Sequence, residues 1–483
     1  MPRSRPNLLL FMPDQLRADA VGAFGNPVVH TPNVDLLAAE GVQFSNAYSQ
    51  HSVCAQSRIS MFTGLYPHVA GHRSLEHLLA EHEPNVFRRL RDGGYHVALA
   101  GVRGDLMAPG VTRASSSRFG FTTPPVLEDL ARWHTSPFAP GSKWYDAFYG
   151  GPVDGELFEL DAATVATAIE WLGSGMPEPW CLFVPLMFPH PPFTVERRWY
   201  DLYAGVEVPA SVPPTFDGKP GFHHEIRTRY GLDRLDSSDW SEIIRTYYAM
   251  VSRVDDQLGQ VRTAVERAGC ADRTVTFFFT DHGEYLGDFG LVEKWPSGVD
   301  DVLVRNPLVV HVPGGPTGTA HSFVEMVDLT ATLEALAEIE PVLHFGESIV
   351  PVLEDPATGH RGAAFTEGGF LLSEAPLLED GDTGQYRHKQ AIQHERTELV
   401  GRAVAVRTER WCYVERLYEG PELYDRVADP RETTNLAGRP DHADVQRELR
   451  ERVFRWLFET SDVLPARRDP RMDDDLQRAL LGG

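Results

Sequence analysis

The sequence predicts an α/β fold, with a large, mostly parallel sheet sandwiched by helices and a smaller C-terminal α+β subdomain holding a short antiparallel sheet. Three observations carry this prediction. Short apolar runs alternate with helix-like stretches, polar residues of catalytic type follow several of those runs, and past about residue 350 the texture changes to short segments bounded by turn residues.

Leu8–Met12, His96–Ala100, Cys181–Leu186, Thr274–Phe279 and Leu308–Val312 read as buried parallel strands. Thr164–Leu172 and Trp240–Gly269 read as helices. In the second, Ile243, Tyr247, Met250, Val254, Leu258 and Val261 recur at three- and four-residue steps and form one apolar face. In such sheets functional residues collect where the strands end, so Asp14, His190 and Asp281–His282 are expected on one edge. Farther on, Ala403–Arg407 and Arg410–Leu417 predict the small antiparallel sheet, while Asp382–Thr397 and the tail from Ala466 are polar and read as mobile. The 483 residues set a soft prior of about three domains. The change of texture places the division at 1–350 and 351–483.

Net charge is −24, with 69 acidic against 45 basic residues. Phosphate backbones and anionic membranes would be repelled on approach, which argues against nucleic-acid and membrane partners. A small anionic substrate stays compatible, because cations clustered in a cleft outweigh a distant field. Cys54, Cys181, Cys270 and Cys412 are too few and too scattered for a disulfide framework or a C-x-x-C metal site. The apolar run after Met1–Pro6 is short and lacks a small-residue cleavage site, so it reads as a first strand and the expected location is cytoplasmic. The sequence is also compatible with a homo-oligomer.

The segment His51–Ser52–Val53–Cys54–Ala55–Gln56–Ser57–Arg58, followed by Thr63–Gly64, carries the sharpest signal. If Cys54 begins a helix, backbone N–H groups and the helix dipole favour an anion beside it, and Arg58 adds charge one turn on. A nucleophile in such a place suits attack on a sulfuryl or phosphoryl centre.

With these residues the chain resembles the type I sulfatase family of the alkaline-phosphatase-like superfamily, near its phosphonate monoester hydrolase and choline-sulfatase-like branches. Asp14–Gln15 resembles the family's opening metal segment, and Thr31–Asp35 with Gly41–Phe44 its next block. Cys54–Arg58 resembles the C-x-P-S-R nucleophile signature, and Pro189–Phe193 the active-site histidine loop. Thr280–Glu284 with Lys294 resembles the second metal and substrate segment, and Glu422–Asp425 through Asn435–Leu436 the C-terminal signature.

The resemblance implies a sulfuric ester hydrolase. In the family the motif cysteine becomes formylglycine, whose hydrate attacks sulfur with one hydroxyl and expels sulfate by deprotonation of the other. Carried over, Cys54 is the nucleophile precursor, Arg58 stabilises developing charge, Lys294 binds sulfate, and His190 is the general acid. Asp14, Gln15, Asp281 and His282 hold one divalent metal ion, calcium, magnesium or manganese, with the imidazole tilting the choice toward manganese.

Two positions depart from the pattern. Gln56 stands where the signature has proline, which works against formylglycine formation; an unmodified Cys54 could still attack, its pKa lowered by Arg58, the metal and the helix start. Val102 stands where the family carries lysine, so Arg103 and Asp105 are the expected substitutes at the substrate, and His72 and Arg73 are expected to line the same pocket. Two alternatives accompany the leading reading. One is a phosphonate or phosphate mono- or diester hydrolase on the same site. The other is a repurposed transferase, lyase or non-catalytic binding protein with unmodified Cys54.

Overall fold

The computed structural model describes residues 5–101, 105–374, 378–379, 384–463, 478, 480 and 481. Its strands are β1 (Asn7–Asp14), β2 (Val42–Tyr48), β3 (His96–Ala100), β4 (Arg118–Gly120), β5 (Tyr149–Val153), β6 (Trp180–Pro189), β7 (Phe193–Glu196), β8 (Thr274–Phe279), β9 (Arg305–His311) and β10 (Gly318–Glu325), then β11 (Ala364–Gly368), β12 (Ala403–Arg407), β13 (Trp411–Arg416) and β14 (Glu422–Asp425). Eight of them form the main sheet in the order β10-β2-β9-β8-β1-β6-β3-β4. Five helices matter below: α1 (Cys54–Thr63), α2 (Leu160–Gly173), α3 (Ser237–Arg267), α4 (Arg387–Glu395) and α5 (Ala443–Glu459).

Strand β1 is central because it is apolar on both faces. Alternation sends Leu8, Leu10 and Met12 to one side, where they meet Ile59 and Phe62 of α1. Leu9 and Phe11 go to the other, which holds Ile243, Tyr247, Val254 and Leu258 of α3. The predicted apolar face of α3 is buried, and Asp236 with Asp239 forms a capping box at its start. Strand β1 runs parallel to both β6 and β8, so the ends of three strands lie side by side.

One strand direction differs from expectation. Leu308–Val310 lies in β9, which runs antiparallel to β8 and to β2. After β8 the chain does not cross back over the sheet. It stays at the carboxyl edge through residues 281–304, so the next strand starts there and runs the opposite way.

The smaller sheet, β11-β12-β13-β14, is antiparallel throughout, and Leu449, Val453 and Trp456 of α5 pack with its Val404, Val406 and Tyr413. The expectation that Asp382–Thr397 is mobile is corrected, since Arg387–Glu395 forms α4 with Lys389, Ile392 and Gln393 buried. The tail from Ala466 lies outside the described residues apart from its last few positions. Among the described residues no helix is long and apolar enough to cross a membrane.

The end of β6 is fixed by a buried acid. Asp161 of α2 accepts from the Met187 and Phe188 N–H groups at 2.6 and 2.9 Å, two residues before His190. Burial, then repulsion from Glu159, pushes its carboxyl up to about 7. The folded chain therefore holds that proton more tightly than the unfolded chain. Its stabilising share is complete below the ordinary carboxyl pKa and is lost as pH rises through about 7. Thermal unfolding followed from about pH 5 to about pH 8 should show a decline on the order of a few kcal/mol that Asp161→Asn flattens.

Candidate active site

Four chain segments meet at the carboxyl edge of the main sheet. Asp14 ends β1, Asp281 and His282 follow β8, His190 follows β6, and Cys54 is the first residue of α1. The helix is fully buried and ends at Gly64, whose φ of 71° and close approach to His344 leave no room for a side chain.

Arg58, one turn along α1, organises the acids. Its Nη2 donates to Asp14 Oδ2 at 2.6 Å, its Nε to Asp281 Oδ2 at 2.8 Å, and its Nη1 to Asp105 Oδ1 at 2.8 Å. Burial alone would depress this guanidinium, but Asp105, Asp281 and Asp14 together hold it well above its ordinary value. Both aspartates thereby turn Oδ1 toward Cys54 and His282. The Cys54 sulfur lies 3.2 Å from His282 Nε2 and 3.7 Å from Asp14 Oδ1.

His282 Nδ1 sits 2.9 Å from the Gly283 carbonyl, which only accepts, so Nδ1 carries the hydrogen and the neutral ring aims the Nε2 lone pair into the cluster. Burial holds its pKa below the ordinary imidazole value, against the pull of Asp281. One atom each from Asp14, Cys54, Asp281 and His282 lies within 4.8 Å of the others, all buried. Two carboxylate oxygens and a correctly tautomerised imidazole fit a divalent cation.

Gln15 is a correction to the expected ligand set. Its φ is 64°, a strained value for a residue with a side chain. The turn sends its N–H to Asp281 Oδ1 at 3.0 Å, while its amide oxygen accepts from Lys294 Nζ at 2.7 Å and its amide nitrogen donates to Glu284. The amide oxygen thus serves Lys294 rather than a metal.

Around this lies a second ring that the sequence did not reveal. Glu293, also at positive φ (71°), accepts from Lys294 Nζ at 2.9 Å, Lys389 Nζ at 2.8 Å and Tyr386 Oη at 3.1 Å. Burial would raise the Glu293 carboxyl, yet the two lysines hold it well below the ordinary range. His190 donates from Nδ1 to the Pro191 carbonyl at 2.6 Å and accepts from Lys294 at Nε2, 2.9 Å away. A cavity of about 310 Å³ opens onto these groups, lined by Cys54, Asp105, His190, Lys294, Tyr386 and Lys389 among others. A larger hollow of about 580 Å³, lined by Asn33, Asp256 and Gln260, lies on α3 away from this chemistry.

Two further expectations are corrected. His72 is bound to Glu83 and the His77 carbonyl, and Arg73 to Glu374 and the Gly369 carbonyl; neither lines the cavity. Both are spent holding their own loop. The protein groups alone push the Cys54 thiol well above its ordinary value, by burial and then Asp14, while Lys294 and Arg58 pull the other way and lose. Asp105 does reach the site, as a partner of Arg58, while Arg103 and Val102 lie outside the described residues.

An α/β sheet that gathers two carboxylates, an imidazole, a thiol and a guanidinium at its carboxyl edge defines a hydrolase of the alkaline-phosphatase-like class. The sulfatase family model matches residues 6–339, and the chain belongs to that family. Among curated relatives, an uncharacterized sulfatase of Escherichia coli (strain K12) is 27% identical over 95% of this chain and 88% of its own length. A choline-sulfatase of Rhizobium meliloti (strain 1021) is 27% identical over 96% and 89%. The solved phosphonate monoester hydrolase of Agrobacterium radiobacter superposes with a TM-score of 0.77 at 27% identity, covering 94% of this chain and 96% of that one.

The cluster makes one strong demand on stability. Replacing Arg58 with methionine leaves two buried carboxylates facing each other, and urea unfolding should show a loss of about 3–5 kcal/mol. Added divalent cation should restore part of it, since the ion neutralises the same oxygens.

Proposed function

We propose that the protein hydrolyses sulfuric esters of small anionic substrates through a nucleophile derived from Cys54, assisted by one divalent cation. The single observation behind this reading is the placement of Cys54, 3.2 Å from His282 Nε2 and 3.7 Å from Asp14 Oδ1, at the floor of a cavity that Lys294 and His190 also line. A volume of about 310 Å³ suits a small molecule.

Asp14, Asp281 and His282 would hold the cation, which when bound polarises the ester oxygens. Converted to formylglycine and hydrated by one water, Cys54 would supply the attacking hydroxyl, and the second hydroxyl would expel sulfate and restore the aldehyde. The chain's own residues do the rest. Arg58 keeps both aspartates oriented, and Lys294 turns its ammonium from Gln15 and Glu293 toward the substrate oxyanion. His190 stands beside Lys294 with Nε2 toward the cavity, the nitrogen that would carry a proton to the leaving alkoxide.

A second reading, phosphonate or phosphate mono- or diester hydrolysis on the same site, is favoured by the superposition on the Agrobacterium radiobacter enzyme. Both readings use a tetrahedral oxyanion and the same residues, so the comparison of substrates decides between them. An aryl sulfate and an aryl phosphonate should be offered to the enzyme and to Cys54→Ala, alongside peptide mass analysis across residue 54. Aldehyde at 54, faster turnover of the sulfate and a loss of about 10³-fold or more in the variant are expected. A free thiol at 54 in active enzyme, or activity that survives the substitution, overturns the reading.

Gln56 offers a separate test. It is the third residue of α1, and the first helical bond runs from Ser57 N to Val53 O, so its own N–H lies ahead of the helix ladder. Its amide atoms are buried with no hydrogen-bond partner among the described residues. Proline is tolerated in a first helical turn. Gln56→Pro should therefore leave thermal stability unchanged or raised, and should raise the aldehyde fraction at residue 54 in a host that makes the converting enzyme.

A further inference from the structure

The residues of the cluster answer a narrower question, namely which ion the chain takes before Cys54 is altered. We infer that the chain with Cys54 as a thiol is a four-coordinate, thiolate-ligated site for a zinc-like ion, and that conversion of Cys54 is what turns the same site toward hard cations. The inference rests on the cation site proposed above, and deepens it by assigning the ligand role of Cys54 and the class of ion.

The first argument is geometric. From His282 Nε2 the distances are 3.2 Å to Cys54 Sγ, 3.8 Å to Asp14 Oδ1 and 4.0 Å to Asp281 Oδ1; Cys54 Sγ to Asp14 Oδ1 is 3.7 Å. A tetrahedral ion with bonds of about 2.0–2.3 Å separates its ligand atoms by roughly 3.3–3.8 Å. These four separations lie near that range, and all four atoms lie within 4.8 Å of one another, so closing on such an ion draws Asp281 inward.

The second argument counts oxygens. Arg58 occupies Oδ2 of both Asp14 and Asp281, so each carboxylate offers the cluster one oxygen and neither is set to bind bidentately. Gln15, the next oxygen along, is turned to Lys294. Calcium takes about six to eight oxygens and magnesium about six in strict octahedral array. Two carboxylate oxygens, one imidazole nitrogen and one sulfur instead describe the donor set of zinc or cobalt.

The binding step balances simply. The ion enters as a dication, the Cys54 S–H proton leaves to solvent, and a metal–sulfur bond forms with no change of oxidation state. A sulfur lone pair held by the ion is no longer free to attack an ester, so this form is distinct from the hydrolytic one. Once a two-electron oxidant has let aldehyde oxygen replace the sulfur, the soft donor is gone and the remaining oxygens with one imidazole nitrogen suit manganese better than zinc.

The test uses the full chain with Cys54 verified as thiol by peptide mass, stripped of metal and titrated with Co²⁺, then Zn²⁺. A thiolate-to-cobalt charge-transfer band in the near ultraviolet should grow to one equivalent and be displaced by zinc. Cys54→Ser, checked for fold by circular dichroism, should lose the band and bind zinc at least about tenfold more weakly, with Mn²⁺ affinity changed by less than about threefold. No band in the unaltered chain, or equal zinc affinity in the serine variant, overturns the inference. Turnover by the aldehyde form is measured separately. The cobalt band can fail while hydrolysis stands, and hydrolysis can fail while the band stands.

Discussion

The guanidinium of Arg58 is the constraint on which the site depends. Asp14 closes β1, Asp281 leaves β8, and Asp105 comes from the segment after β3; all three acids converge on one side chain that is 1% exposed. Unpaired, two carboxylates at this depth would repel each other and force the strand ends apart. Paired, each presents one oxygen inward and surrenders the other. A single arginine thus sets the distance between two strands, the orientation of two acids and which oxygen of each faces the cluster.

The strain near the site follows from the same crowding. Gln15 and Glu293 hold positive φ, each at a cost of roughly 1–3 kcal/mol. Both turns aim N–H groups at carboxylates, Gln15 at Asp281 and Glu293 at Glu284. Burial and then Glu293 raise the Glu284 carboxyl, while Lys294 and Lys389 hold Glu293 ionised. Helix α4, from the C-terminal part of the chain, supplies Lys389 and so closes the ring that keeps Lys294 in place.

The sequence spoke clearly where a residue's role follows from its position at a strand end. Asp14, His190, Asp281 and His282 arrive where the strand-and-loop pattern places them, because backbone topology fixes that edge, whereas Cys54 and Lys294 stood out through their motifs. It spoke poorly where a side chain had to choose among neighbours. Gln15 beside Asp14 reads as a second ligand, yet a positive φ turns its amide to Lys294. His72 and Arg73 lie near the nucleophile helix in sequence but find Glu83 and Glu374 first. Helix α4 was hidden because its buried face includes the polar Lys389 and Gln393, whose burial depends on Glu293 and Glu379 outside the helix; only their spacing with Ile392 marks a helical face. The direction of β9 was hidden for a topological reason, since apolar content does not say from which edge a strand is entered.

Charge balance around Cys54 explains why a cation belongs here at all. Asp14, Asp105, Asp281, Glu284 and Glu293 bring five carboxyl groups into the site, against Arg58, Lys294 and Lys389. Among the described residues the acids outnumber the bases locally, as they do over the whole chain with its net charge of −24. A divalent ion held between Asp14, Asp281 and His282 would add two positive charges where the deficit lies, and in a buried setting those charges would be weakly screened. On the proposed function, attraction for a tetrahedral anion would depend on the ion, while the lysines and the arginine would direct that attraction to one point in the cavity.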